Sequence, residues 1–306
     1  MDPASVSLQQ ILHDLGVDAA TVGPVELLSQ RHGHVVWRIG TPQRSYILKW
    51  LPEAEASTEA EGYLLLQALG VPTAQLYGYS ARALLLEDLA WSDEWRLATA
   101  ADLARVEAGR AVARWYRVFH NAGEALLAQG NCPGFLRRET DELDADGILA
   151  TGRALGLSQN PVWSLAAEHV ELLKATVAKL SVTLNYNDFY WTNLALSRGE
   201  GSRPEAIIFD YHLLGVGMRY SDCRNVTGSL SDGAVRAFWQ TYGDVDAREE
   251  KLDRPLATLH NLVMAARLPG WPQWADSSRE RVLSGALERD LVAALALAPG
   301  QCEATA

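Results

Sequence analysis

The sequence predicts an α+β protein whose N-terminal part is a five-stranded antiparallel sheet with one main helix and whose larger C-terminal part is mostly helical. Up to residue 89, short runs of branched and aromatic residues alternate with turn residues, as in a strand meander. Beyond Ala90, apolar residues recur at helical spacing. We therefore expect two domains, residues 1–89 and residues 90–306.

The first predicted domain begins with a short amphipathic helix and continues with strands. The helix is predicted over residues 7–15, with Gly16 as its stop. The turn residues between the later apolar runs, including Gly33, indicate an antiparallel meander. The strands are predicted at residues 25–28, 35–39, 46–51, 74–79 and 83–89.

One longer helix is predicted to interrupt the strands. It begins at Thr58, a favourable capping residue, and ends at the Gly70-Val71-Pro72 stop. Thr58 and Glu61 have the spacing of a capping box, which would give Glu61 a local structural role. Glu59 is the other acid in its first turns, so either glutamate is available for a distant partner.

Helices are predicted through most of the second domain, at residues 100–123, 162–180, 232–242, 253–268 and 277–298. His120 is predicted to be a packed, hydrogen-bonded residue and not a catalyst. A run of acids between the first two helices is typical of a solvated surface. Its members are Glu139, Asp141, Glu142, Asp144 and Asp146.

Composition limits the classes of partner. The chain has 306 residues, and 27 basic against 38 acidic residues give a net charge of -11. Such a charge argues against nucleic acid or an anionic membrane as partner and is compatible with a cationic substrate. Three widely spaced cysteines predict neither a disulfide framework nor a zinc site. We expect a cytoplasmic monomer or homodimer, with disorder confined to residues 301–306.

Acidic and amide side chains are concentrated where two short apolar strands end. Asp188 and Asn193 follow the first of these strands, and Asp210 ends the second. Carboxylate and amide oxygens suit Mg²⁺, and a further carboxylate can orient a hydroxyl for phosphoryl transfer. The three residues therefore predict a metal-phosphate site.

These residues resemble the catalytic loop and metal-binding aspartate of the aminoglycoside phosphotransferase and small-molecule kinase family, relatives of the protein kinases. The Asp188-x-x-x-x-Asn193 spacing carries the resemblance, together with Lys49 at the end of an apolar strand. Tyr186 stands where the family usually has His, and Asn187 where Gly or Arg is usual. The resemblance implies a two-lobed protein-kinase-like fold.

The resemblance also implies a role for each residue. Asp188 would be the catalytic residue, while Asn193 and Asp210 would bind Mg²⁺. Lys49, paired with Glu59 or alternatively Glu61, would contact the phosphates of ATP, with GTP also possible. Residues 1–89 would form the nucleotide-binding lobe, and residues 90–306 would carry the catalytic loop and acceptor pocket. Backbone groups of a hinge segment would bind the purine; this segment is Glu87, Asp88 and Leu89.

Several alternatives remain open at the level of sequence. The implied activity is transfer of the γ-phosphoryl group to a hydroxyl of a small molecule, which could be an aminoglycoside, a sugar or an amino alcohol. The acidic run could meet an amino group of that acceptor. A catalytically weak pseudokinase is the alternative from another class. Asp222 is predicted either to cap a helix or to anchor the catalytic loop.

Overall fold

The computed structural model describes residues 8–31, 33–199 and 204–298, so the predicted disorder at residues 301–306 lies outside the described residues. The chain divides into two compact units. The first comprises Met1–Ala122, Asp188–Leu214 and Asn225–Gly243, and the second comprises Gly123–Asn187, Gly215–Arg224 and Asp244–Ala306. Each unit is discontinuous along the chain, and the boundary after residue 89 remains a prediction.

The described strands form three sheets, of five, two and three strands. They are β1 Val25–Arg31, β2 His34–Gly40, β3 Ser45–Trp50, β4 Leu76–Tyr79, β5 Ala83–Glu87, β6 Trp95–Leu97, β7 Thr183–Asn185, β8 Leu194–Ser197, β9 Ala206–Ile208 and β10 Gly215–Gly217.

Helices account for most of the chain after β6. They are α1 Leu8–Asp14, α2 Glu53–Ala68, α3 Val106–Ala128, α4 Ala145–Ala154, α5 Val162–Val177, α6 Arg219–Thr227, α7 Asp232–Tyr242, α8 Ala247–Ala266, α9 Asp276–Leu283 and α10 Ala286–Leu295. Within the described ranges, none of them is both long and apolar enough to span a membrane.

The first unit contains the predicted five-stranded antiparallel sheet, in the order β1-β2-β3-β5-β4. Strand β3 lies at its centre, where Lys49 pairs with Val36 on one side and Leu84 on the other. Helix α1 packs its buried Ile11 and Leu12 into the same apolar cluster as the sheet. The predicted fold class, an antiparallel sheet followed by a helical part, is confirmed.

Helix α2 begins earlier than predicted. It starts at Glu53, directly after Pro52, and Thr58 lies inside it with its hydroxyl donating to the Ala54 carbonyl at 3.0 Å. The predicted cap at Thr58 is therefore wrong. Two acids in the first turn, Glu53 and Glu55, favour the observed start because they complement the positive end of the helix dipole.

A second, three-stranded sheet of the first unit places the acidic and amide residues. Strand β8 pairs antiparallel with β6 and with β9, and Leu194 lies opposite Ile208. Just outside this pair, the Phe209 N–H donates to the Asn193 carbonyl at 3.1 Å. The hairpin therefore brings Asn193 beside the chain that leads into Asp210.

The second unit combines the two-stranded sheet β7-β10 with helices around one apolar core. Helix α8 begins at Ala247 and contains Pro255, so the predicted start at residue 253 is six residues late. The predicted helix over 277–298 is two helices, α9 and α10, separated by Gly285 with φ 69°. The core includes Trp163, Leu173, Leu252, Leu259, Leu287 and Leu291.

The predicted helix over 100–123 also has different ends. Residues Ala100–Ala104 form a 3-10 turn, and α3 then runs from Val106 through Gly123 to Ala128. Gly123 does not stop the helix; it permits a close approach, because a Cβ there would lie 2.5 Å from the Leu184 nitrogen. His120 is fully buried, 2.7 Å from the Tyr242 hydroxyl, as a packed histidine.

Candidate active site

The strand-to-loop segment before Asp188 is fixed by one buried aspartate. The Asp222 carboxylate, in α6, accepts the backbone N–H of Tyr186 at 2.8 Å and that of Asn187 at 2.9 Å. It also lies 3.4 Å from the Asn185 amide nitrogen. Of the two roles predicted for Asp222, the structure shows the anchoring one. Tyr186, which stands where the family that the sequence resembles usually has His, is fully buried.

Asn187 turns the chain immediately before Asp188. Its φ of 65° lies in the left-handed region, which Asn tolerates better than most residues with a Cβ. A 3-10 turn at Trp191–Asn193 then closes the loop. A sharp turn at Asn187 explains why a residue with this backbone freedom occupies the position.

Asp188 and Asn193 are joined by direct hydrogen bonds. The Asn193 amide nitrogen donates to the Asp188 carboxylate oxygen Oδ2 at 2.9 Å and to the Asp188 carbonyl at 3.2 Å. Burial raises the pKa of Asp188, the negative charge of Asp210 adds to this, and His212 and Lys49 oppose it. Asp188 is therefore a stronger base than a carboxylate in water.

Like Asn187, Asp210 has a strained backbone, since its φ is 73°. Its N–H donates to the Tyr63 hydroxyl at 3.2 Å, and its Oδ1 atom lies 2.9 Å from His212 Nδ1. Burial acts to raise the pKa of Asp210, but the charge of Lys49 and the hydrogen bond from His212 outweigh it and hold that pKa below its ordinary value. The carboxylate therefore stays ionised.

Lys49 connects this aspartate to helix α2. Its Nζ lies 2.6 and 2.8 Å from the two carboxylate oxygens of Glu59 and 3.0 Å from Asp210 Oδ1. Glu59 is fully buried, whereas Glu61 is exposed. Of the two glutamates left open by the sequence, Glu59 is thus the partner of Lys49. Burial acts to lower the pKa of Lys49, but the two carboxylates raise it, so the ammonium stays protonated.

A cleft in the first unit is lined by most of the predicted site residues. Its volume is ≈ 620 Å³, within the range of small-molecule pockets, which is about 300–1,000 Å³. Lys49, Asn193 and Asp210 line it, together with the segment Leu86–Leu89. Asp188 is not one of the residues lining this cleft.

The predicted hinge segment uses its side chains for internal contacts. Asp88 is buried, and its Oδ2 atom accepts hydrogen bonds from Arg38 Nε and the Ser45 hydroxyl, both at 2.7 Å. The N–H of Glu87 donates to the Gln75 carbonyl at 2.8 Å. These contacts set the course of the chain around the cleft. Because the Glu87 N–H is already hydrogen-bonded, the contacts with a base that the resemblance implies would fall to other backbone groups of the segment.

Tyr63, His212 and Arg38 lie in the site but were not singled out from the sequence. Tyr63 is four residues after Glu59, a spacing that places both on one helix face, and this signal could have identified it. His212 follows Asp210 by two residues, and its hydrogen bond to Asp210 raises its pKa. Arg38 is recognisable only once β2 is seen to reach Asp88.

The predicted acidic run lies in the second unit, and two of its members have structural partners. Glu142 forms an ion pair with Arg267 at 2.6 Å, and Asp144 caps α4 by accepting the Gly147 N–H at 2.7 Å. Glu139 lines a small cavity of ≈ 40 Å³ in this unit. Loss of water around its carboxyl raises the pKa of Glu139 to about 7.

The first-unit site suits a magnesium ion that is held jointly with a nucleotide. Among the described residues, no group of three or more His, Cys, Asp or Glu side chains could hold a metal by itself. Mg²⁺ is usually bound by one or two carboxylates plus substrate phosphates, so a larger cluster is not required. The ionised Asp210 carboxylate and the Asn193 amide oxygen are donors of the right type, and both residues line the cleft.

Comparison with known proteins identifies the fold. No protein-family model and no curated protein sequence matches this chain. Among solved structures, it is similar to a choline/ethanolamine kinase family protein from Mesorhizobium loti, with a TM-score of 0.58, 13% identity, and coverage of 90% of this chain and 94% of that chain.

It is also similar to a Plasmodium vivax ethanolamine kinase, with a TM-score of 0.56, 11% identity, and coverage of 90% and 85% of the two chains. A third similar structure is a spectinomycin phosphotransferase in complex with ADP and spectinomycin, with a TM-score of 0.51, 11% identity, and coverage of 96% and 99%. At these identities the comparison shows the fold, and the predicted resemblance to small-molecule kinases is confirmed at that level.

Proposed function

Starting from the protein-kinase-like fold of small-molecule kinases, we propose that this protein is a phosphotransferase that moves the γ-phosphoryl group of ATP to a hydroxyl of a small molecule. The observation that carries the proposal is the chain of contacts from Glu59 through Lys49 to Asp210 beside a cleft. The Asp188–Asn193 pair in the same unit completes the set of groups that phosphoryl transfer needs.

The cleft is proposed to hold the nucleotide. Lys49 would contact the α- and β-phosphates, and backbone groups of Glu87, Asp88 and Leu89 would contact the purine. The carboxylates of Glu59 and Asp210 raise the pKa of Lys49, so its ammonium group stays protonated and can contact the phosphates. ATP is the proposed donor and GTP a possible one; the similar spectinomycin phosphotransferase was solved with ADP.

In the proposed reaction, Asp188 orients the acceptor hydroxyl and takes its proton. The hydroxyl oxygen forms a bond to the γ-phosphorus as the bond from that phosphorus to the bridging oxygen breaks, and ADP leaves with the electron pair. The raised pKa of Asp188 supports its role as the proton acceptor. Mg²⁺, held by Asp210 and Asn193, would supply positive charge for the phosphate oxygens.

The acceptor is proposed to be a hydroxyl compound that also carries an amino group. A net charge of -11 is compatible with a cationic acceptor. An ethanolamine kinase, a choline/ethanolamine kinase family protein and a spectinomycin phosphotransferase share the fold. Amino alcohols and aminoglycosides are therefore the first candidates, with sugars as the next class.

A screen for acceptor-dependent ADP release tests the proposal. Purified protein is incubated with MgATP or MgGTP and with panels of amino alcohols, aminoglycosides and sugars. The expected result is ADP or GDP release that depends on one acceptor class. If nucleotide binds but no panel stimulates release, the pseudokinase alternative replaces the proposed activity.

Substitution of the proposed base tests the mechanism. Asp188→Ala is expected to reduce turnover roughly a hundredfold or more while nucleotide affinity changes little, because the side chain acts on the acceptor. Asp14→Ala, an exposed residue of α1, is the matched control and should keep wild-type turnover. Near wild-type turnover of Asp188→Ala would show that another group accepts the proton.

A further inference from the structure

Helix α2 supports Asp210 in two ways, indirectly through Lys49 and directly through Tyr63. Glu59 holds Lys49, which reaches the Asp210 carboxylate, and Tyr63 accepts the hydrogen bond of the Asp210 backbone N–H. We infer that Tyr63 is a positioning residue whose hydroxyl holds Asp210 in the left-handed conformation required for Mg²⁺-dependent nucleotide binding. This inference rests on the proposed function.

The location of Tyr63 is suited to this role. It is 1% exposed and lies four residues after the fully buried Glu59, so both side chains extend from one face of α2. Its hydroxyl is 3.2 Å from the Asp210 nitrogen.

Aromatic packing holds the Tyr63 ring against the chain that follows Asp210. Its ring meets that of Tyr211 edge to face, with centroids 4.7 Å apart. The Tyr211 hydroxyl in turn donates to the Ile208 carbonyl and lies 2.7 Å from the Thr73 hydroxyl. Gly62 permits this approach, because a Cβ there would lie 3.1 Å from the Tyr211 Cβ.

Asp210 needs such support because of its backbone. A φ of 73° is unfavourable for a residue with a Cβ, and such conformations persist only where surrounding groups fix them. Lys49 holds the carboxylate, but a side-chain contact alone does not fix φ and ψ. The hydrogen bond from the Asp210 N–H to Tyr63 acts directly on the peptide unit. Loss of the hydroxyl should therefore free the backbone while leaving the Lys49 ion pair available.

Amide hydrogen exchange of the segment 207–214 tests this directly. In Tyr63→Phe, which retains the ring, exchange in this segment is expected to accelerate roughly two- to tenfold, the equivalent of one lost hydrogen bond. Tyr242→Phe is the matched control, because it removes another buried tyrosine hydroxyl of the first unit, 2.7 Å from His120 Nδ1. The control should leave exchange in segment 207–214 unchanged. Equal exchange in wild type and Tyr63→Phe would overturn the inference.

Calorimetric titrations with nucleotide, with and without Mg²⁺, test whether the Tyr63–Asp210 hydrogen bond affects nucleotide binding. Tyr63→Phe is expected to bind the nucleotide roughly two- to tenfold more weakly in the presence of Mg²⁺ and unchanged in its absence. An equal loss under both conditions would indicate general damage and overturn a specific role at Asp210. If the wild-type protein binds no nucleotide, the proposed function fails, and the exchange result still decides whether Tyr63 fixes Asp210.

Discussion

At the scale of single residues, Asn187 and Asp210 have unusual backbone conformations at the candidate active site. Among the non-glycine residues described, these two have positive φ, 65° and 73°. Each lies just beyond a short buried strand, and each has its backbone N–H bonded to a side chain, Asp222 or Tyr63. Their strained conformations are thus held by specific partners beside the proposed catalytic groups.

Glu139 is a residue whose ionisation opposes folding. Its carboxyl lines the small cavity of the second unit, and loss of water raises its pKa to about 7. Arg224 opposes this shift, while the charges of Asp253 and Asp222 reinforce it. In the unfolded chain the group would titrate near its ordinary value of 4.5. The folded protein therefore binds this proton more tightly than the unfolded chain.

We predict that Glu139 lowers stability as the pH rises. The native state retains the proton between the two pKa values, so the contribution of Glu139 to the free energy of unfolding should decrease between pH 4.5 and about 7 and then level off. Glu139→Gln should remove this dependence and stabilise the protein at pH 8 by up to about 3 kcal/mol. Urea unfolding at pH 5 and pH 8 measures the free energy of unfolding of the wild type and the variant. An unchanged pH dependence in the variant would contradict the prediction.

At the scale of elements, Gly109 marks a close contact between helices α3 and α7. A Cβ on Gly109 would lie 2.4 Å from the Ala234 carbonyl oxygen, which is a backbone atom and cannot turn away. Gly233, near the start of α7, has only the Val106 side chain at 3.8 Å. The two glycines therefore differ in function: Gly109 permits contact between the helices, and Gly233 has ordinary space around it.

Gly109→Ala should destabilise the protein although alanine favours helices. Overpacking costs about 1–3 kcal/mol, whereas the helix preference of alanine over glycine is worth about 1 kcal/mol. Gly233→Ala, the control, should be neutral or more stable by up to about 1 kcal/mol. Thermal unfolding of both variants gives the comparison, and equal stability of the two would show that α3 and α7 can separate at little cost.

Helix ends were the least predictable part of the elements. The position of α2 shows why: Thr58 looks like a cap in the sequence, but an earlier start after Pro52 adds a full turn to the helix. Gly123 looks like a stop, but α3 continues through it because the glycine is needed for contact with Leu184. In α3 the packing of a distant segment outweighed the local signal, whereas in α2 an earlier local signal, the acids that follow Pro52, outweighed the one at Thr58.

At the scale of the whole molecule, nucleotide and Mg²⁺ should stabilise the fold together. A ligand present at about a hundred times its Kd adds about 2.7 kcal/mol to the free energy of unfolding. We expect MgATP to raise the Tm by several degrees and EDTA to remove most of this rise, since Asp210 and Asn193 would then lack the ion they are proposed to share with the phosphates.

Asp210→Asn should lose the Mg²⁺-dependent part of the stabilisation. The substitution removes the negative charge, and Asp14→Asn serves as a carboxylate-to-amide control on exposed α1. Differential scanning fluorimetry with ATP, with MgATP and with EDTA measures the effect. If Asp210→Asn shows the full wild-type rise with MgATP, Asp210 is not a metal ligand.

The sequence by itself determined the fold class and the candidate catalytic residues. Strand alternation, turn residues and helical periodicity are local signals, so the five-stranded sheet and most helices were predictable. The spacing of Asp188 and Asn193, with Asp210 after the next strand pair, was likewise visible in the amino-acid sequence.

Only the tertiary structure decided how these residues are connected. Glu59 and not Glu61 meets Lys49 because α2 turns that face toward β3, and Tyr63 contacts Asp210 across 147 residues of chain. Such contacts depend on the packing of a helix against a sheet and a hairpin, which no local pattern encodes. Asp222 acquired its anchoring role in the same way, since its partners lie on β7 and in the loop after it.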